Sequence, residues 1–227
     1  MPALGVSLAA SGAVGVASDL NASSRVLPVH GALAGLFPSG GLRRGTTVGV
    51  HGSTSLLLAL LAAPTAAGSW AAVVGMPDLG VAAAAELGVA VNRLTLVNHP
   101  GMEPAVVVAA LLDGMDVVAV RRGRLTDAHA RRLSARARHR GAVLLTIDPW
   151  PGADLELRGG ESTWHGLHGK GAGYLQHRDL QVHTRGRGTA ARPLQANVQL
   201  PALGGTISTP APQRQVPLPR PVMAPTA

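Results

Sequence analysis

The sequence predicts an α/β fold: a three-layer core around a mostly parallel sheet, extended toward the C-terminus by antiparallel strands. Three observations carry this. Short apolar runs alternate with helical stretches from residue 43 to residue 148. Those runs are continuous rather than alternating, as expected of strands covered by helices on both faces. Beyond Pro149 the texture changes to short alternating stretches separated by glycine-rich turns.

The elements follow in order. Residues 1–24 are rich in Ala, Gly, Ser and Val, hold one charge (Asp19), and are expected to be a flexible lead-in. They have no basic start of the kind a secretion signal carries, so the cytoplasm is the expected location, with association with the nucleoid a further option. Residues 25–41 read as an extended segment ending in a turn at 38–41. Strands are expected at 46–51, 70–75, 94–98, 116–120 and 142–147. Helices are expected at 55–63, 79–87, 103–113 and 126–140, the last with Thr126 as N-cap and Gly141 as its stop. Strand–helix alternation at this spacing implies right-handed crossovers. Residues 25–200 are therefore taken as one domain, with 153–200 as the antiparallel extension. Residues 201–227 are expected to be a disordered, proline-rich tail; six of the 17 prolines lie in 204–227, and no acidic residue does.

Composition narrows the chemistry. The chain has 227 residues, 46% of them hydrophobic and only 2% aromatic, so its core must be built from Ala, Val and Leu. Cysteine is absent, which removes disulfides, thiol nucleophiles and thiolate metal sites. The formal net charge is +8, compatible with nucleic acid or an acidic protein as partner. No run of about 18 apolar residues is present to span a membrane.

Residues 35–148 resemble the RecA ATPase core. The resemblance rests on a glycine-bearing lead-in (LFPSGGLRRG), a strand (TTVGVHG), the phrase ELGVAVNRL from Glu86, and the strand DVVAV from Asp116. In that family the first strand leads into a phosphate loop of the form G-x-x-x-x-G-K-[ST]. Its backbone amides cradle the phosphates, its Lys reaches them, and its Ser/Thr holds Mg²⁺. Here the position reads Gly52, Ser53, Thr54, Ser55, and then Leu57, Leu58 and Ala59 where the second Gly, the Lys and the Ser/Thr belong. The sole lysine is Lys170, too distant to serve. Arg121 occupies the position of the acid that would help hold Mg²⁺. No Glu follows the second strand, where Asp78 is the nearby acid. Losses at three required positions imply no ATPase activity and no nucleotide cofactor.

A narrower resemblance covers about residues 25–200. Residues 25–35, GSWAAVVGMPDLG from Gly68, AALLDGMD from Ala109 and WHGLHG from Trp164 are similar to the actinobacterial ImuA-type mutasome accessory proteins. The resemblance implies a non-catalytic role in damage-induced, error-prone translesion synthesis during the SOS response. The implied partners are an inactive Y-family polymerase homologue (ImuB-like) and an error-prone replicative-type polymerase. Two other classes stay open: a DNA-binding RecA paralogue that modulates recombination filaments, and a cell-division inhibitor.

Two segments are candidates for contact. Arg121, Arg122, Arg124, Arg131, Arg132, Arg136, Arg138 and Arg140 crowd one stretch against Asp127 alone, a pattern suited to DNA phosphates or an acidic partner. The same pattern also fits a plain solvated helix face. No aromatics interleave with these arginines, so no stacking platform for single strands is indicated. The tail motif Pro217-Leu218-Pro219-Arg220-Pro221 is a candidate partner-binding peptide. His165, His168, His177 and His183 fall in the extension, but H-x-x-H in a glycine-rich stretch is a weak ligand pattern, and no metal site is expected.

Overall fold

The computed structural model describes residues 25–167 and 172–210. The expected lead-in at 1–24 and the motif at Pro217–Pro221 lie outside the described residues.

An eight-stranded sheet forms the middle layer. Its strands are β3 (Thr47–His51), β4 (Ala71–Val74), β5 (Leu94–Val97), β6 (Val117–Val120), β7 (Val143–Thr146), β8 (Leu155–Leu167), β9 (Gly173–Gly186) and β10 (Gln195–Gln199). Their spatial order is β10-β9-β8-β3-β7-β6-β4-β5. From β5 to β8 all neighbours are parallel; β9 and β10 are antiparallel additions. A two-stranded antiparallel pair, β1 (Val26–Leu27) with β2 (Leu42–Arg43), precedes the sheet.

Helices α1 (Gly31–Ala34), α2 (Thr54–Ala66) and α3 (Val81–Glu86) form one outer layer, and α4 (Pro104–Gly114) and α5 (Asp127–Arg140) the other. Successive strand residues serve opposite layers, as the pleat requires. Val117 and Ala119 pack with the α1–α3 side, and Val118 and Val120 with the α4–α5 side. Strands β3, β4, β6 and β7 are buried at every position, which is why they read as unbroken apolar runs. The extension is different. Leu155, Leu157, Leu180, Val182, Val198 and Leu200 all belong to the core on the α2 side. The reverse face of β8–β10 carries polar side chains instead.

Local chemistry explains the boundaries. Thr126 caps α5 by accepting from the His129 amide, Asp127 opens the helix, and Gly141 closes it at φ 70°. Ala130, Leu133 and Ala137 are its buried stripe, as their spacing predicts. Pro104 sits in the first turn of α4, where its missing N–H costs nothing.

Four expectations are corrected. Helix α2 was expected to end at 63 but runs through Pro64 to Ala66, with Pro64 and Thr65 buried; there the Thr65 hydroxyl donates back to the carbonyls of Leu61 (2.7 Å) and Ala62 (3.0 Å). The lead-in at 25–41 is not extended throughout, since His30 Nδ1 accepts from the Ala32 amide and caps the single turn α1. The extension consists of two long strands of 13 and 14 residues plus β10, and it joins the sheet by a parallel pairing of β8 with β3. The domain does not end at 200: residues 201–210 fold back on β10, with Ala202 and Ile207 each 4% exposed and Ser208 bridged to Gln199, because Ile207 packs into the α2-side core.

Candidate functional site

The first candidate site is the turn from β3 into α2, at the position where the sequence resembles a phosphate loop. Strand β3 ends at His51 and α2 begins at Thr54, leaving only Gly52 and Ser53 between them. A phosphate loop spreads its intervening residues around the phosphates. In this chain Thr54, Ser55, Leu56 and Leu57 are wound into the first turns of the helix. Leu56 and Leu57 are fully buried, as are Ala59 and Leu60, and Leu58 is 3% exposed; all five are members of the main core.

The turn itself is tightly held. Gly52 has φ 78°, and a Cβ there would lie 2.9 Å from the Gly159 carbonyl oxygen of β8. Gly52→Ala is therefore expected to cost roughly 1–3 kcal/mol, read as a lower urea midpoint without loss of the folded baseline. Ser53 caps α2, its Oγ accepting from the Leu56 amide at 3.2 Å. The same Oγ accepts from the Arg178 guanidinium at 3.1 Å. Arg178 also donates to the Leu200 carbonyl (2.9 Å) and lies over the Trp164 ring, 5.4 Å from its centroid. Partial burial pushes this guanidinium below the ordinary arginine value. A side chain from β9 thus occupies the approach to the helix start. Sequence reasoning did not find Arg178, and no local signal could have: it lies 125 residues from Ser53 and arrives by strand pairing.

The remaining positions lie along the same sheet edge. Arg121 follows β6 and is exposed; its amide donates to the Val74 carbonyl at 3.0 Å. Asp78 is exposed. Asp148, after β7, accepts from the Arg122 amide at 2.8 Å. His51 is buried, with Nδ1 3.0 Å from the Ile147 carbonyl. These groups tie loop to loop.

The arginine stretch divides in two. Arg122 pairs with Asp127 and donates to the carbonyls of Leu125 (3.0 Å) and Pro149 (3.1 Å). Arg136 and Arg140 both hold Asp113 of α4, with Nε contacts of 2.7 and 3.0 Å. The hydrogen bond from Arg136 draws the Asp113 carboxyl below its usual range. These three arginines are fasteners between elements. Arg121, Arg124, Arg131, Arg132 and Arg138 are exposed and form no ion pair among the described residues. No helix among the described residues is long and apolar enough to cross a membrane.

This topology, with β7 set between β3 and β6 and helices on both faces, defines a protein with a RecA-like fold. The crystal structure of the RadB recombinase superimposes with a TM-score of 0.57 at 13% identity, covering 82% of this chain and all of that one. The chain belongs to the family described as the MT3502 N-terminal domain, whose model matches residues 35–152. It is also 42% identical over 163 residues to "Uncharacterized protein Rv3395c" of Mycobacterium tuberculosis (strain ATCC 25618 / H37Rv), covering 67% of this chain and 80% of that protein.

Proposed function

We propose that this chain is a non-catalytic, RecA-like accessory protein of a translesion-synthesis mutasome. In this reading it acts in the cytoplasm by binding an ImuB-like, inactive Y-family polymerase homologue, alongside an error-prone replicative-type polymerase. One observation carries the loss of catalysis: the residues that should cradle phosphate are helix and core. Hydrolysis also needs a lysine at the β/γ-phosphates and a carboxylate on Mg²⁺, and Leu58 and Arg121 stand there. With those parts gone, the rigid three-layer body is left as a platform for partners. The long β8–β9 hairpin exposes Trp164, Leu167, Tyr174 and Leu175, large apolar side chains of a kind enriched at protein interfaces.

The test is co-purification with the ImuB-like homologue, using the full chain and a version ending at residue 210. Retention of both places the contact on the folded domain, and loss with the truncation places it in the tail. Failure of both to bind ends the mutasome reading. In parallel, millimolar ATP with Mg²⁺ is expected to leave the melting temperature unchanged. A bound nucleotide at 100 times its Kd would add about 2.7 kcal/mol and be plainly visible.

A second reading, a DNA-binding RecA paralogue, is favoured by the exposed arginines at 121, 124, 131, 132 and 138, which form no ion pair among the described residues. It requires duplex or single-stranded DNA to bind the chain alone, with affinity falling steeply as salt rises.

A further inference from the structure

We propose that His165, His177 and Asp179 form a site for one divalent transition-metal ion of the zinc class, clamping β8 to β9. The strand register brings them together. His165 faces His177 directly across the β8–β9 pair, and Asp179 lies two residues along β9 on the same face. One ligand atom from each lies within 4.8 Å of the other two. His165 Nε2 is 3.0 Å from Asp179 Oδ2, and Gln199 of β10 donates to the other carboxylate oxygen at 3.1 Å. Gln199 thereby fixes one carboxylate oxygen, the outer-shell role expected at metal sites, while the other faces the cluster, where an ion would take the place of its contact with His165.

A second observation points the same way. His177 Nδ1 is buried and makes no hydrogen bond, one of two such side-chain atoms among the described residues. Buried polar atoms are almost always paired, and an ion held by His177 would give this ring the partner it lacks. The surroundings are suitable too. This is the polar reverse of the extension, away from the Leu180 and Val182 core. Apart from His165, no cationic side chain is paired with Asp179 among the described residues.

The donor set selects the ion. Two imidazoles and one carboxylate suit zinc, cobalt or nickel rather than Mg²⁺ or Ca²⁺, which prefer all-oxygen shells. Three protein ligands leave the fourth tetrahedral position to water. The two rings are stacked 4.6 Å apart and 9° from parallel. Parallel rings cannot aim lone pairs at one ion, so binding must tilt a ring and break the stack. At metal–nitrogen distances of about 2.0–2.1 Å, the closing movement is on the order of an ångström.

The experiment is calorimetric titration of the untagged, chelator-treated full chain with zinc chloride, with Co²⁺ absorption as a second readout. One zinc per chain is expected, with visible cobalt bands of a four-coordinate site. H177A and D179N should each weaken binding about tenfold or more, while H183A, outside the cluster, leaves it unchanged. If H177A fails to fold, H177Q takes its place. A wild-type chain that takes up no zinc, or takes it up equally well in the H165A/H177A double variant, overturns the proposal. The mutasome reading is untouched by either result.

Discussion

Leu58→Lys, which puts a lysine at the position a phosphate loop requires, is expected to destabilise the chain severely rather than create nucleotide binding. Leu58 is 3% exposed within the main core, flanked by the fully buried Leu57 and Ala59. An ammonium group placed in that apolar core must either stay charged in a poorly solvating medium or give up its proton. The cost should be about 4 kcal/mol or more, against a total stability of about 5–15 kcal/mol for a domain. Urea denaturation reads it directly. The opposite result, a stable L58K protein with an ATP-dependent rise in melting temperature, would mean that the helix start opens to form a true phosphate loop. The proposal of a non-catalytic platform would then fail. Leu58→Met, similar in volume and apolar, should cost less than about 1.5 kcal/mol and separates the effect of charge from that of packing.

Much of the central layer was legible in the sequence. Strands β3, β4, β6 and β7 are covered on both faces, so burial alone dictated unbroken apolar runs. The helix ends between them carry caps and glycines that act locally. The errors fall where a distant partner decides the outcome. Helix α2 continues past residue 63 through Pro64, because Pro64 and Thr65 are buried against the folded core and Thr65 bonds back to the preceding turn. The proline-rich composition after residue 200 signals a tail, yet Ile207 packs into the α2-side core, a surface that only the folded sheet creates.

The candidate sites show the same division. That Leu57, Leu58, Ala59 and Arg121 depart from the phosphate-loop pattern is a local statement, open to reading from the sequence alone. The contact of Arg178 with Ser53 could not be read: it forms only through the pairings of β3 with β8 and β8 with β9. In the arginine stretch, sequence gave the density of charge but not its use, since Asp113 of α4 turns two of the eight into fasteners. Likewise His165 and His177, twelve positions apart, become neighbours only once the hairpin register is known.

The outer arginines depend on how α5 is seated, and a single hydroxyl bears much of that task. Ser134 Oγ accepts from Thr47 Oγ1 and from Trp150 Nε1, each at 2.9 Å, joining α5 to the start of β3 and to the loop after β7. All three residues are buried. Ser134→Ala leaves two donors without partners in a site that water does not reach, and should cost about 2–4 kcal/mol. Trp150→Phe removes one of those donors together with its own need for a partner. The S134A/W150F pair should therefore be less destabilised than the sum of the single changes, a coupling that a double-mutant cycle measures. Additive losses would show that the three side chains do not act as a unit. The consequence for function is separable: R131E and R132E on the exposed face should weaken any DNA or acidic-partner binding at unchanged stability, whereas S134A should lower binding only as far as it lowers the folded fraction.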